Sequence, residues 1–181
     1  MRAHPNSSAA PAMPEVDPGL FRKVMGRFAT GVTVVTTSVA DEVFGMTANA
    51  FMAGSLAPPL CVISIARAAQ MHGRLVSARR FGVSLLGEAE QPLSQRFSGR
   101  GPIGAAVPAF RYLGGIPVLA GGIGALAADV VATAACGDHT LFVGRVIAME
   151  PAEGRPLLFY AGRYAALHPG EQVADIAYSF W

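Results

Sequence analysis

Residues 44–60 read FGMTANAFMAGSLAPPL, a stretch in which small, hydroxyl and amide residues stand between apolar segments. Gly45 and Ala50 would let a ligand lie close to the backbone, because their side chains are absent or small. Thr47 and Asn49 can donate and accept hydrogen bonds. This mixture favours a binding surface for a flat cofactor with polar edges. The alternative is an ordinary loop between two strands, punctuated by Asn, Gly and Pro.

Composition narrows the class of protein. A chain of 181 residues predicts about one domain, and 52% apolar with 14% charged residues is ample for a packed core. The net charge of +2 is small and its basic residues are scattered along the chain. We therefore expect no nucleic-acid partner, because such proteins concentrate positive charge on one face.

The chain ends and one apolar segment bear on domain limits and membranes. Residues 1–14 lack a continuous apolar stretch, so we expect a flexible tail rather than a secretory signal. Residues 15–170 are predicted to form the domain, followed by a C-terminal extension at 171–181. Residues 116–136 are long enough to cross a membrane. Their many Ala and Gly residues, together with Pro117 and Asp129, make the segment too weakly hydrophobic to favour a membrane span. A buried strand and no membrane partner are expected.

The two cysteines predict neither a disulfide framework nor a metal site. Cys61 and Cys136 each lie in an apolar, strand-like segment without a C-x-x-C partner. We expect both to be buried, reduced thiols in a cytoplasmic protein.

Hydrophobic periodicity predicts mainly β structure with flanking helices. Asp17 and Pro18 are typical of a helix start, and we expect that helix to end near Gly31. A β-branched strand follows at residues 32–37. Further strands are predicted at 44–48, 60–66, 81–86, 124–135, 140–150 and 157–167, and helices near 71–78 and 88–97. Many short strands with few helices favour a β-barrel over βαβ winding.

One dinucleotide-binding motif is rejected. Residues 122–127 match G-x-G-x-x-A, but that fingerprint requires a strand before it and an amphipathic helix after it. Residues 129–133 have strand character instead. Chance spacing in a glycine-rich chain explains the match.

Four further motifs accompany residues 44–60. They are FATGVTVVTT at 28–37; FGVSLL at 81–86 followed by Gln91, Leu93 and Phe97; GDH at 137–139 followed by Gly144 and Val146; and PLLFY at 156–160 followed by Gly162 and Tyr164. In this order and spacing the chain resembles the short-chain flavin reductases that serve two-component flavin monooxygenases. The resemblance covers about residues 20–167.

The resemblance implies the split β-barrel of FMN-binding, flavin-reductase-like proteins, which are usually homodimers. It implies an enzyme that transfers hydride from NADH or NADPH to FMN or FAD, as an NAD(P)H:flavin oxidoreductase. Reduced flavin would then reach a separate flavin-dependent monooxygenase by diffusion. The alternative is a flavoprotein of the same fold that retains its flavin and acts in electron relay, sensing or storage.

The resemblance also implies a set of cofactor-binding residues. They are Gly45, Met46, Thr47, Ala48, Asn49, Ala50, Ser55, Ser64, Ile65, Ala66, Arg67, Ser84, Leu85, Leu86, Gln91, Phe97 and Tyr164. Residues 47–50 would contact the isoalloxazine and ribityl groups, mostly through backbone amides, and residues 64–67 would form the phosphate-binding edge. Ala50 and Ser84 replace a serine and an asparagine that are common in the family, which alters side-chain contacts there. Arg67 could alternatively be a solvated charge at a strand end.

His139 is the candidate catalytic residue. In the family the histidine of Gly-Asp-His lies beside the flavin on the nicotinamide side, and we assign that role to His139. The alternative is that Gly137 and Asp138 form a hairpin turn and His139 is a polar residue at the strand end.

Overall fold

Strands dominate the computed structural model, which describes residues 15–101 and 108–168. The predicted tail at 1–14 and extension at 171–181 lie outside the described residues. The helices are α1 (Pro18–Met25), α2 (Gln70–Ala78) and α3 (Gln91–Phe97), with a 3₁₀ turn at Glu88–Glu90 before α3. The strands are β1 (Thr30–Gly31), β2 (Thr33–Val39), β3 (Glu42–Ala48), β4 (Phe51–Leu56), β5 (Pro59–Ala66), β6 (Arg80–Leu85), β7 (Phe110–Leu113), β8 (Ile116–Leu119), β9 (Gly124–Cys136), β10 (His139–Pro151), β11 (Leu158–Tyr160) and β12 (Arg163–Ala165).

Seven strands form one antiparallel sheet in the order β3-β2-β6-β9-β10-β5-β4. A smaller sheet has the order β1-β11-β12, and β7 pairs with β8. Strands β3 and β4 lie at opposite edges of the large sheet, so that sheet does not close on itself. The predicted mainly β, split-barrel architecture is confirmed.

The core consists of two clusters of buried apolar residues. The first joins β5, β6 and β10 through Ile63, Phe81 and Phe142, all less than 2% exposed. The second joins Val34 of β2 to Leu157, which precedes β11. The two clusters thus tie together strands that are distant in sequence.

The first helix is shorter than predicted. The Asp17 carboxylate accepts a hydrogen bond of 2.7 Å from the backbone N–H of Leu20, as expected for a helix cap. The helix ends at Met25, with Gly26 as its C-cap, rather than near Gly31. Thr30 and Gly31 instead pair with β11. Thr30 and Gly31 are therefore part of a sheet, although the spacing of the apolar residues before them predicted a longer helix.

Two strand predictions need correction. Residues 157–167 are not one strand, because Ala161 and Gly162 have φ of 49° and 78° and turn β11 back into β12. Residues 51–56 form β4, an edge strand paired with β5. The edge strand β4 was not predicted, because Ala and Gly interrupt its apolar pattern. The β7–β8 hairpin was not predicted either, because its strands are short.

The two cysteines differ. Cys61 is buried as predicted, and burial raises the pKa of its thiol to about 11. Cys136 is exposed, so the prediction of a second buried thiol is wrong. It ends β9, whose last six residues are exposed although the strand begins buried. In the part of the chain that the structure describes, no helix is long and apolar enough to cross a membrane.

Candidate functional site

A cavity of about 890 Å³ lies between α1, the segment that contains β1, and the ends of several strands of the large sheet. Its walls are mostly apolar. Five of the predicted cofactor-binding residues line it: Asn49, Ala50, Ser64, Leu85 and Leu86. These residues come from three separate segments, which the sheet order brings together at one place.

Backbone hydrogen bonds fix the link between β3 and β4 at the cavity wall. The N–H of Ser64 donates to the carbonyl oxygen of Ala50 over 3.0 Å. Asn49 and Ala50 are exposed and Ser64 is half-buried. The side chains of Asn49 and Ser64 make no hydrogen bond to other described residues, so both can bind a ligand in the cavity.

His139 lies just beyond the cavity wall. It is the first residue of β10 and pairs with Ala66, whereas Leu141 pairs with Ser64. Cross-strand partners share a face of the sheet, and so do residues two apart on one strand, about 7 Å from each other. Leu141 and Ser64 both line the cavity. The imidazole is therefore on the same face of the sheet, one side-chain position further along.

The turn before His139 is tied to the end of β5. Gly137 has a φ of 59° and joins β9 to β10. The backbone N–H of Arg67 donates to the carbonyl oxygen of Asp138 over 2.9 Å. The imidazole Nδ1 of His139 lies 2.7 Å from Oδ1 of Asp138, and this hydrogen bond holds the pKa of that carboxyl below its usual range. Arg67, Asp138 and His139 thus form one polar group at the sheet end.

The hydroxyls of three predicted cofactor-binding residues make hydrogen bonds within the protein. Thr47 donates its hydroxyl to the carbonyl oxygen of Ser94 over 2.7 Å, and the fully buried Ser84 accepts from the N–H of Leu119 over 2.9 Å. Ser55 accepts from the N–H of Ala57 over 3.2 Å. In this structure these side chains hold the fold, and the cavity does not include them among its lining residues.

Other predicted residues lie behind the cavity, around α3. A Cβ on Gly45 would stand 2.5 Å from the Phe97 ring, so the space that the sequence suggested for a ligand at Gly45 is filled by this ring. Tyr164 hydrogen-bonds Ser94 over 2.9 Å, and Gln91 begins α3. Phe97 and Tyr164 pack against the second core cluster.

The remaining predicted residues belong to strands of the large sheet. Met46 and Ala48 pack against the first core cluster, and the side chain of Ile65 is fully buried within it. Ala66 pairs with His139. None of these four side chains lines the cavity.

Sequence reasoning missed one wall of the cavity. It is built from α1 and the segment up to β2, including Phe28, Thr30 and Val32, and from Phe159 of β11. Residues 28–37 were recognised only as a motif that ends in a strand. The signal available was Thr30-Gly31, a hydroxyl and a glycine between the apolar helix and the apolar strand, the same mixture that marked residues 44–60.

The charges around the cavity do not indicate a metal centre. Arg22 is the charged residue among those that line it. Within residues 15–101 and 108–168, no group of three or more His, Cys, Asp and Glu side chains is arranged to hold a metal ion.

Comparison with known proteins gives one consistent result. The family model for the flavin reductase like domain matches residues 25–168. An NADH-dependent flavin reductase from a Rhodococcus species is 43% identical over 157 residues, which is 85% of this chain and 89% of that protein. The reductase component of 4-hydroxyphenylacetate 3-monooxygenase from Thermus thermophilus is 38% identical over 148 residues, covering 81% of this chain and 95% of the relative. The solved structure of the flavin reductase PheA2 superposes with a TM-score of 0.82 at 40% identity, over 84% of this chain and 99% of that one.

Proposed function

Because this chain belongs to the family of flavin reductase-like domains, we propose that it is an NADH-dependent flavin reductase that supplies reduced flavin to a partner monooxygenase. The observation that carries the proposal is the wide, apolar-walled cavity on which Asn49, Ala50, Ser64 and Leu85 converge from separate segments. These positions match the family motifs, and they meet where a ligand has room.

The residues present fit a flavin. The isoalloxazine ring is flat and largely apolar with polar edges, and the cavity offers apolar walls together with the free polar side chains of Asn49 and Ser64. The backbone groups of Asn49 and Ala50 lie on an exposed link rather than inside a strand. We assign to them the orientation of the ring and of the ribityl chain.

The hydride passes between the nicotinamide and the flavin, so the chemistry belongs to those two groups. The protein has to position them in contact and to stabilise the negative charge that develops on the flavin. That requirement is consistent with a site that has no Asp or Glu among its lining residues.

We assign the nicotinamide side to His139. It lies on the cavity face of the sheet but beyond the wall itself, where a second ring can approach a flavin seated in the cavity. The backbone of Arg67 is hydrogen-bonded to Asp138, so Arg67 lies at the same strand end. We assign to it the binding of a cofactor phosphate. Guanidinium groups suit phosphates because their N–H donors match the oxygen geometry.

We propose a homodimer as the working form. Several large apolar side chains of α1 and β4 are exposed, among them Leu20, Phe21, Met52 and Leu56, each 55–65% exposed. Apolar surface of this extent favours association. Light scattering should give twice the mass of the chain at micromolar concentration, and a monomer mass would refute the dimer. We place the protein in the cytoplasm, where NADH is regenerated.

The function is tested by NADH oxidation with FMN, FAD and riboflavin added in turn. A reductase that treats flavin as a substrate should oxidise NADH faster as flavin is added, with saturation. A protein that purifies yellow and shows no dependence on added flavin would instead be a flavoprotein that retains its cofactor. The same series gives the preferred flavin, and repetition with NADPH gives the preferred donor.

A further inference from the structure

Helix α1 has an apolar side that faces away from the cavity and is exposed. None of its eight residues is buried, and Leu20 and Val24 are 55% and 59% exposed. These two residues are four apart, so their side chains are neighbours on one side of the helix. Phe21 and Met25 line the cavity, whereas Leu20 and Val24 do not. The helix therefore presents apolar side chains to the cavity and also on its outer side.

The charge next to this outer side is positive. Arg22 and Lys23 lie in the last turn of α1, and the first turn has no acidic residue. Lys23 is three residues from Leu20 and so lies beside it on the helix surface. Among residues 15–101 and 108–168, no carboxylate forms an ion pair with Arg22 or Lys23. An occupant of this surface therefore has to combine apolar side chains with negative charge.

One segment of the chain has this composition. Residues 169–181 read PGEQVADIAYSFW, with Glu171 and Asp175 but no Lys or Arg. Residues 176–181 are mostly apolar or aromatic and include Trp181, the single tryptophan of the chain. The match to the flavin reductase like domain stops at residue 168, so this segment is additional to the family domain.

The described part of the chain brings the start of this segment within reach of α1. The N–H of Ala161, in the turn between β11 and β12, donates to the carbonyl oxygen of Gly26, the C-cap of α1, over 2.8 Å. From that turn the chain runs through β12 to Leu167, whose carbonyl oxygen accepts a hydrogen bond from Arg155. That path covers at most about 17 Å and α1 is about 12 Å long, whereas residues 169–181 can span about 45 Å. The segment is therefore long enough to return to α1.

We propose that residues 171–181 bind the outer side of α1 in the same chain. Their aromatic side chains pack on Leu20 and Val24, and the carboxylates of Glu171 and Asp175 lie against Lys23. Apolar burial supplies the affinity, and charge complementarity sets which way the segment lies. Because α1 forms a wall of the cavity, the bound segment supports that wall from outside. The contact does not depend on the proposed function, and it leaves the exposed apolar side chains of β4 for a second copy.

Carbodiimide cross-linking of the full chain tests the charged contact. The reagent joins an amine to a carboxylate that touches it, and the chain has one lysine, so a link from a lysine side chain identifies what lies against Lys23. We expect mass spectrometry to find Lys23 linked to Glu171 or Asp175. An equilibrated mixture of ¹⁵N-labelled and unlabelled protein shows whether the link lies within one chain.

The fluorescence of Trp181 tests the apolar contact without flavin. In the full chain we expect emission at shorter wavelength, and weaker quenching by acrylamide, than in the protein unfolded in urea. Leu20→Gln combined with Val24→Gln should move the emission to longer wavelength and abolish the cross-link. It removes the apolar contact but keeps the charge of α1, and glutamine is a good helix former. The matched control is Val76→Gln on α2, where the side chain is 55% exposed, and it should leave both readouts at the wild-type values.

A second variant changes only the segment itself. Glu171→Gln combined with Asp175→Asn alters no residue of the family domain, so its folding is not in question. It should increase the quenching of Trp181 by acrylamide, because the attraction to Lys23 is lost.

Four outcomes would overturn the proposal. One is the absence of a link between Lys23 and either acidic residue of the segment. Another is a link found only between two chains, which would place the segment on a second copy. The third is Trp181 fluorescence that is unchanged in both double variants. The fourth is a change in Val76→Gln as large as that in the α1 variant, which would show an effect of general destabilisation.

Discussion

The imidazole Nδ1 of His139 lies 2.7 Å from Oδ1 of Asp138, the residue immediately before it in the chain. A carboxylate can only accept, so Nδ1 carries the proton and Nε2 is the nitrogen left to meet a ligand. The Asp138 carboxylate and the turn at the start of β10 therefore orient the Nε2 atom of His139.

His139→Ala should raise the apparent KM for NADH or slow flavin reduction, while flavin affinity stays within a few-fold. Hydride transfer needs no general acid on the nicotinamide, so we expect the imidazole to act through contact and charge. Stopped-flow reduction and flavin titration separate the two effects. His72→Ala is the control, because His72 contacts Thr140 and Phe142 from α2 and should affect stability only. Collapse of flavin binding with normal NADH parameters would refute the assigned role, and a fall in thermal stability alone would favour the simple hairpin.

The carboxyl of Asp138 should respond to the same substitution. Its pKa lies below its usual range because of the hydrogen bond and charge of His139, so folding favours the ionised form. The associated stability is present above the ordinary pKa of an aspartate and is lost as the pH falls through the lowered value. Because the side chain is 92% exposed, the contribution is small. Carbon-detected NMR titration should find that pKa raised towards its ordinary value in His139→Ala; an unchanged value would contradict the pairing.

Asn49→Leu should weaken flavin binding by about 1 to 3 kcal/mol, the range for leaving a polar partner unsatisfied. Asn49 is exposed on the cavity wall, and its side chain makes no hydrogen bond to other described residues, so the fold does not depend on it. Fluorescence titration measures the affinity, and thermal melting checks that the variant is folded. A folded variant with wild-type affinity would remove Asn49 from the site.

Gly45→Ala should destabilise the protein by about 1 to 3 kcal/mol, because the added methyl group would overlap the ring of Phe97. Shortening that ring should relieve the overlap, so Gly45→Ala combined with Phe97→Leu should cost less than the sum of the two single changes. Urea denaturation of the four proteins in this cycle measures the coupling. Additive effects would mean that the ring moves away freely.

Local patterns were enough to predict the central strands. β5, β6, β9 and β10 were anticipated within a few residues, since β-branched and apolar residues bounded by Gly, Pro or charge predict such strands. Asp17 marked the start of α1 correctly. The end of α1 was predicted too far along, because the apolar spacing continues to Phe28, whereas the helix ends at Met25 and Thr30 already pairs with Phe159, a residue far along the chain.

Only part of the candidate site was predicted, again because contacts between distant segments decide the rest. Asn49 and Ala50 were identified by residue type and Ser64 by the family resemblance, and all three line one cavity. Thr47 and Ser84 have equally suitable hydroxyls, but these bind Ser94 and Leu119 within the fold. Which hydroxyls are satisfied internally depends on contacts between distant segments, and no local pattern carries that information.

The unequal environments of the two thiols allow site-selective chemistry on the natural sequence. Cys61 is buried and its pKa is about 11, so it stays protonated and shielded from reagents at neutral pH. Cys136 is exposed and is the cross-strand neighbour of His139. A maleimide-linked fluorophore should therefore attach at Cys136 alone. The result is a single optical reporter beside the proposed nicotinamide position, obtained without changing any residue.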